Sequence, residues 1–479
     1  MLNRFEAAAA RRRLARLAVN QDRRPEMSKP IGSDCLPEIK HIVILMMENH
    51  SYDNYLGMLP TDGDDGLALG PDGLPSAVNF AQDGTVVPMR PFAGTRQKVG
   101  VPTQSWNASH IQWDKGECQG FVRSIEQTVT GRDASIAMTY WRKEDLPFYY
   151  GLASTFPLAT RWFSSCLGPT FPNRRFLIAG TAHGLIDDLP FGMIDYPAAG
   201  TIFDRLSAQG ITWTNYHHLS AVKVGWRRLA HTRGLSFLRT LSALLAAIFP
   251  QLLPAMESKL QATATLFPLG FLRSVNHLRS IGEFWPAARA GRLPAVSIVD
   301  PDFGRCSEEN PQDVRMGEGF AAKVINAVMN GKGWPHTLLI WLYDEHGGYY
   351  DHVPPPAAPE PDDVPGQNPM QRFFLLRLLR FTRYAKKIEL ADDGPPAYDR
   401  LGFRVPAVIV SPYARPRYIT RQVYDHTSVL KLIERKWNLP PLTRRDAAAV
   451  DPLEALDLEN PPYFLKPPTL PQPARPWRE

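Results

Sequence analysis

His41-Ile42-Val43-Ile44-Leu45-Met46-Met47 is a short, continuous apolar run that stops at Glu48-Asn49-His50. A run of that length, rich in aliphatic side chains, is the pattern of a strand buried on both faces. Three more occur further along: residues 295–299 (AVSIV), 337–343 (TLLIWLY) and 405–410 (VPAVIV). Helical patterns lie between and beside them. Residues 201–208 are closed by Gly210, and 316–330 by Gly331. Residues 425–437 open on an Asp or Thr cap and carry Val429, Leu430, Ile433 and Trp437 along one face. Strands alternating with helices predict an α/β fold: a mostly parallel central sheet flanked by helices, with long loops and a helical insertion.

In such sheets ligands gather beyond the carboxyl ends of the strands, so the residues after each run are the informative ones. They are Glu48-Asn49-His50, Asp300-Pro301-Asp302, Asp344-Glu345-His346-Gly347-Gly348 and Ser411-Pro412-Tyr413. One acidic ending means little, because strand ends are normally polar. Three of the four together suggest a shared acidic floor.

Composition bounds the rest. The 479 residues are 44% hydrophobic and 21% charged, enough for one large core or two ordinary ones. Proline supplies 45 of them, well above the usual ~5%, so much of the chain is ordered loop. The net charge of +6 is mild, and Arg11, Arg12, Arg13, Arg16, Arg23 and Arg24 account for much of it. This gives little support for an anionic partner and none for nucleic acid. Cys35, Cys118, Cys166 and Cys306 are widely spaced, which argues against a disulfide scaffold or a zinc cluster. No apolar run reaches the ~18 residues that span a bilayer, and no signal-type apolar segment follows the N-terminal arginines. The expected location is cytoplasmic or peripheral to a membrane, with export left open.

The expected organisation is a basic arm (1–37), one domain (38–460) and a proline-rich tail (461–479). Residues 59–131, rich in Gly, Pro and Asp, read as loops over the strand ends. Residues 354–371 read as a connector. Residues 219–280 read as a helical insertion or cap. Their apolar stretch 241–256 follows Arg227, Arg228, Arg233 and Arg239, so they either pack as helices or lie on a membrane surface.

Leu167-Gly168-Pro169-Thr170-Phe171-Pro172-Asn173-Arg174-Arg175 is the best nucleophile segment. A proline at a helix start would set Thr170 just ahead of a helix N-terminus, where free N–H groups favour an alkoxide and an incoming phosphate. An ordinary Gly-Pro-Thr turn is the competing reading. A threonine hydroxyl is inert at neutral pH, and no base lies nearby in the sequence. A divalent cation held by Glu48, Asn49, Asp344 and Glu345 would activate it, unless these are simply solvated strand-end groups. Oxygen ligands suit Ca²⁺, Mg²⁺ or Mn²⁺ better than Zn²⁺. Among the histidines, His110, His217, His218, His346, His352 and His426 lie near strand ends or in loops. There they could bind phosphoryl oxygens or protonate a leaving alcohol, or be ordinary surface or core histidines. His41, at a strand start, reads as structural.

These segments resemble a known family. Glu48-Asn49-His50-Ser51-Tyr52-Asp53-Asn54-Tyr55-Leu56-Gly57 is similar to the E-N-R-S-F-D-H-Y-F-G signature of bacterial phosphoesterases, the phospholipase C and acid phosphatase group. Gly168-Pro169-Thr170 with Pro172-Asn173-Arg174 resembles the group's G-P-T-x-P-N-R segment. Residues 343–354 (YDEHGGYYDHVP) resemble its Y-D-E-H-G-G-x-Y-D-H-V-P block, and Asp425-His426-Thr427-Ser428 matches a further motif. The blocks occur in family order from about residue 38 to 440.

The resemblance implies an alkaline-phosphatase-like core and hydrolysis of phosphate esters through a phospho-threonine on Thr170. It implies one or more divalent ions (Ca, Mg, Mn or Zn) on Glu48, Asn49, Asp344 and Glu345, with His110 binding or protonating substrate. His217, His218, His346, His352, Asn310 and Asn173 complete the expected substrate-binding set. The chain departs from the signature at His50, Tyr52, Asn54 and Leu56. It also has Asn310-Pro311 where the family has His-Pro. Asparagine is no acid, so that role moves to a nearby group or is absent. The expected activity is that of a metal-dependent, phospholipase C-like phosphodiesterase. The alternatives are a broad-specificity acid phosphatase and a non-catalytic phospholipid-binding relative. The expected partner is a phosphate ester, phospholipid included, with peripheral membrane contact through 219–280.

Overall fold

A computed structural model describes residues 23–59, 65–98, 101–129, 131–188, 196–218, 262–267, 270–366 and 397–477. Eight strands form the central sheet. They are β1 (His41–Met47), β2 (Leu158–Ala159), β3 (Trp213–His217), β4 (Leu278–Ser280), β5 (Val296–Val299), β6 (Thr337–Tyr343), β7 (Ala407–Val410) and β8 (Ile419–Thr420). Their spatial order is β8-β2-β7-β6-β1-β5-β3-β4. Neighbours pair in parallel except on the two sides of β7, which runs against the rest. The mostly parallel α/β sheet expected from the sequence is therefore present. The two longest apolar runs, β1 and β6, are its central pair and are almost wholly buried.

Strand register positions the acidic ends. Met47 of β1 lies opposite Tyr343 of β6, so the two strands finish level. Glu48-Asn49 and Asp344-Glu345 therefore leave the sheet side by side. On the other flank Leu45 pairs with Val299, so Asp300 leaves β5 beside Met46.

The helices that matter here are α1 (Tyr52–Tyr55), α2 (Trp106–Trp113), α3 (Phe121–Thr128), α4 (Thr170–Ala179), α5 (Ile202–Ala208), α6 (Val314–Met329) and α7 (Thr427–Lys436). The three sequence-predicted helices correspond to α5, α6 and α7. A Thr201/Asp204 capping box opens α5, and the Asp313 side chain caps α6 by accepting from Arg315 N–H.

The expectation of loops over 59–131 is corrected. This stretch holds α2, α3 and a hairpin of Val78–Phe80 with Val86–Pro88. The sequence WNASHIQW spreads its apolar residues around the helix and shows no stripe. What fixes α2 is the Ser105 side chain, which accepts from Ala108 N–H, and packing against α3.

Of the expected insertion, residues 219–261 lie outside the described residues, and with them the expected membrane contact. Residues 278–280 belong to the sheet, as its edge strand β4. Residues 1–22 of the arm also lie outside. The arm's remainder is tied down by Lys436 Nζ donating to Asp34 Oδ1 at 2.6 Å and by Asn438 Nδ2 donating to Glu26 O at 2.8 Å. The proline-rich tail packs on the domain: Phe464 meets Phe156 at 4.7 Å, and Trp477 meets Phe320 at 5.7 Å. All four cysteines are free. Among the described residues no helix is long and apolar enough to cross a membrane.

Candidate active site

The level ends of β1 and β6 are locked together by backbone. Asn49 N–H donates to Asp344 Oδ1 at 3.1 Å, and Glu345 N–H donates to the same oxygen at 2.8 Å. Gly347 N–H donates to Glu345 Oε2 at 2.7 Å. Gly347 has φ +67°, and a Cβ there would stand 2.0 Å from the Asn49 carbonyl oxygen, so only glycine fits.

Thr170 faces this floor. It is the first residue of α4 rather than lying just ahead of the helix, and Pro172 falls in the first turn, where its missing N–H costs nothing. The turn before it is folded by Asn173. Its Oδ1 accepts from Ser165 N–H and Cys166 N–H at 2.8 and 3.0 Å, and its Nδ2 donates to Gly168 O at 2.8 Å and Pro169 O at 3.0 Å. The Asn173 amide is thus committed to presenting Thr170, which corrects its expected place against substrate. The Phe171 N–H, beside Thr170, donates to Asp188 Oδ1 at 2.8 Å.

Thr170 Oγ1 lies 3.3 Å from the Asn49 side-chain amide. With Nδ2 turned inward, that amide also reaches Asp344 Oδ1 at 3.3 Å and Glu345 Oε1 at 2.6 Å, while its Oδ1 accepts from Gln104 Nε2 at 3.2 Å. With Oδ1 inward, acceptors face acceptors, the arrangement that a cation between them would satisfy.

One guanidinium answers part of this negative charge. Arg174, one turn after Thr170, is buried; its Nε donates to Asp344 Oδ2 at 2.8 Å and its Nη1 to Asp300 Oδ1 at 3.2 Å. Its Nη2 reaches the carbonyls of Met46 and Met47. His426 Nε2–H donates to Asp344 O at 2.6 Å, and burial lowers its pKa to about 4, so it is neutral.

The surplus remains large. Burial, then Glu309, pushes the Glu48 carboxyl well up while Arg174 pulls it back; burial and Asp344 push Glu345 well up. Glu48 Oε2 is buried with no hydrogen-bond partner. An orphaned carboxylate oxygen beside two more carboxylates and an amide oxygen fits a hard divalent cation.

The remaining predicted residues are dispersed. His346 is buried, with Nε2–H donating to Gln112 Oε1 at 2.6 Å and Nδ1 3.4 Å from Glu345 Oε2; burial lowers its pKa to about 3. Its ring is committed to Gln112, which corrects its expected place against substrate. His110 Nδ1–H donates to Trp106 O at 2.8 Å, which makes Nε2 its basic nitrogen, and the two rings lie 4.7 Å apart. A Cβ on Gly168 would stand 3.1 Å from that Trp106 ring, so His110 adjoins the Thr170 turn through Trp106. Asn310, before a cis peptide to Pro311, donates to Val101 O at 2.8 Å. His217 ends β3, and β5 separates that strand from β1. His218 lies 3.8 Å from Asp302.

His352 belongs to a second cluster. Asp53, Asp351 and His352 offer ligand atoms within 4.8 Å of one another. Arg404, fully buried, already bridges the two carboxylates, at 2.9 Å to Asp53 and 2.8 Å to Asp351. A guanidinium supplies there the positive charge that an ion would bring.

Sequence reasoning misses Arg174, Arg404, Gln104 and Asp188. Arg174 carries a usable signal: an arginine four residues after the candidate nucleophile, in a segment otherwise suited to burial. The others are brought in only by tertiary packing.

The phosphoesterase family model matches residues 39–440. The chain is 28% identical to phospholipase C A of Mycobacterium tuberculosis, over 92% of this chain and 82% of the relative. It is 27% identical to hemolytic phospholipase C of Pseudomonas aeruginosa, over 85% of this chain and 54% of the relative. Identity to non-specific phospholipase C6 of Arabidopsis thaliana is 26%, over 91% and 75%. With the family model covering most of its length, this chain belongs to the phosphoesterase family and is a phosphoric ester hydrolase.

Proposed function

We propose that the chain is a phospholipase C-like phosphodiesterase that depends on a divalent cation and passes through a phospho-threonine at Thr170. The observation that carries this reading is the approach of Thr170 Oγ1, at the mouth of a ten-residue helix, to within 3.3 Å of an amide resting on Asp344 and Glu345. The names of the relatives support the diesterase subtype.

Glu48, Asn49, Asp344 and Glu345 would hold the cation, which lowers the pKa of a nearby hydroxyl and neutralises phosphoryl charge. Asn49 orients the Thr170 hydroxyl. Arg174 fixes Asp344, and the positive end of the α4 dipole favours the charge that develops on the phosphoryl oxygens, although Asp188 already takes the Phe171 N–H. Thr170 Oγ1 forms the bond to phosphorus as the bond to the departing alcohol breaks. His110 Nε2, its basic nitrogen, would take the proton that leaves Thr170 Oγ1 and return it to that alcohol, a role Asn310 cannot fill. Water then attacks phosphorus, frees the phosphomonoester and regenerates the hydroxyl.

The test is turnover of p-nitrophenylphosphorylcholine against p-nitrophenyl phosphate. Chelation and Thr170→Ala are each expected to abolish it; unchanged rates under both would overturn the mechanism. Turnover of the monoester alone would make the protein a phosphomonoesterase. Lipid binding with no ester cleaved would make it a binding protein.

A further inference from the structure

We infer that Asp188 determines specificity at this site, setting it against doubly charged phosphomonoesters and in favour of singly charged phosphodiesters. The inference rests on the phosphodiesterase reading above. The Phe171 N–H belongs to the first turn of α4, next to Thr170, where an oxygen of a phosphoryl group on Thr170 would come to lie. Asp188 Oδ1 accepts from that N–H at 2.8 Å. A carboxylate thus occupies a position whose dipole and donor would otherwise serve the substrate.

Asp188 is exposed, unlike the floor residues Glu48, Asp344 and Glu345. Through the Phe171 N–H, Asp188 stands one residue from Thr170, whose Oγ1 lies 3.3 Å from the Asn49 amide over the acidic floor. Arg174, the buried cation beside Thr170, is committed to Asp344 and Asp300 and does not offset it. Independently, Glu48 Oε2 at the end of β1 is buried without a hydrogen-bond partner, as fits a site that takes a group from outside the chain.

The discrimination follows from charge. A phosphomonoester loses its second proton near pH 6 and is a dianion at neutral pH, whereas a diester stays a monoanion. One fixed negative charge at the rim opposes the extra charge of the monoester in a partly desolvated mouth.

The test compares kcat/KM for p-nitrophenyl phosphate and ethyl p-nitrophenyl phosphate, which share a leaving group and differ by one charge. Asp188→Asn keeps an acceptor for Phe171 N–H and removes the charge. It is expected to shift the ratio of the two constants about tenfold toward the monoester. Asp188→Glu, which keeps the charge, should leave the ratio within about twofold of wild type. Raising ionic strength from about 0.02 to 0.5 M should move the wild-type ratio the same way and leave Asp188→Asn flat, a readout that needs only folded wild type for its first arm. An unchanged ratio in Asp188→Asn, or a parallel loss on both esters, would overturn the inference while leaving the diesterase reading intact. Wild type cleaving neither ester would instead overturn the reading on which it rests.

Discussion

Arg174 Nε donates to Asp344 Oδ2 at 2.8 Å, so the helix that begins at Thr170 is pinned to the end of β6 by one guanidinium. Both side chains are buried, and Asp300 shares the same cation.

Removing that cation strands two carboxylates in the interior. Arg174→Met should therefore cost about 3–5 kcal/mol of folding stability. Urea unfolding followed by circular dichroism measures it; a loss below about 1 kcal/mol would mean the pair is solvated.

Thr170 separates fold from chemistry. Thr170→Ala should lower kcat on p-nitrophenylphosphorylcholine by at least about 10³-fold while leaving the melting temperature within a few degrees. Thr170→Ser, which keeps a hydroxyl at the same place, should retain measurable turnover. An alanine variant as active as the serine variant would remove Thr170 from the reaction.

Gly347→Ala tests the lock between the two strand ends. The left-handed backbone alone costs about 1–2 kcal/mol, and the collision with the Asn49 carbonyl adds to it. Gly73, with φ +75° and open space around its missing Cβ, is the control: Gly73→Ala should show only the backbone cost. Equal unfolding free energies for the two variants would show that the Asn49 contact relaxes freely.

The second buried cluster carries a pH signature. Burial alone would lower the pKa of His352, but Asp53, 2.7 Å from Nδ1, overrides it and pushes the value up to about 9. A folded value above the unfolded ~6.5 means stabilisation that is complete below pH ~6.5 and lost as pH rises through ~9, at most about 3 kcal/mol. Wild type should therefore weaken relative to His352→Gln between pH 6 and 9.5 in urea unfolding. Parallel curves would show that the pair does not hold the proton.

The parts of this protein readable from its sequence are those whose signal is local. The runs of β1 and β6 announce buried strands, and their acidic endings with Gly347-Gly348 mark the floor. Strand β3 is not readable, because Trp213-Thr214-Asn215-Tyr216-His217 buries polar groups that only the fold satisfies. Asn215 Nδ2, for example, donates to Asp300 Oδ2 at 2.9 Å. Strands β2 and β8, two residues each, exist only as partners to their neighbours. Asn173 reads as a ligand because its segment matches a motif. Its actual work, folding the turn before Thr170, depends on Ser165 and Cys166 and so on tertiary geometry.

Asn49 and Asp344 touch across 295 positions of chain, and His426 closes on Asp344 from 82 positions further on. No N-terminal fragment shorter than that can therefore pair Asp344 with both. Ester-cleaving capacity should appear abruptly only once the chain has grown past His426, and proteolytic nicks that free either side of these contacts should silence it even where most of the sheet survives.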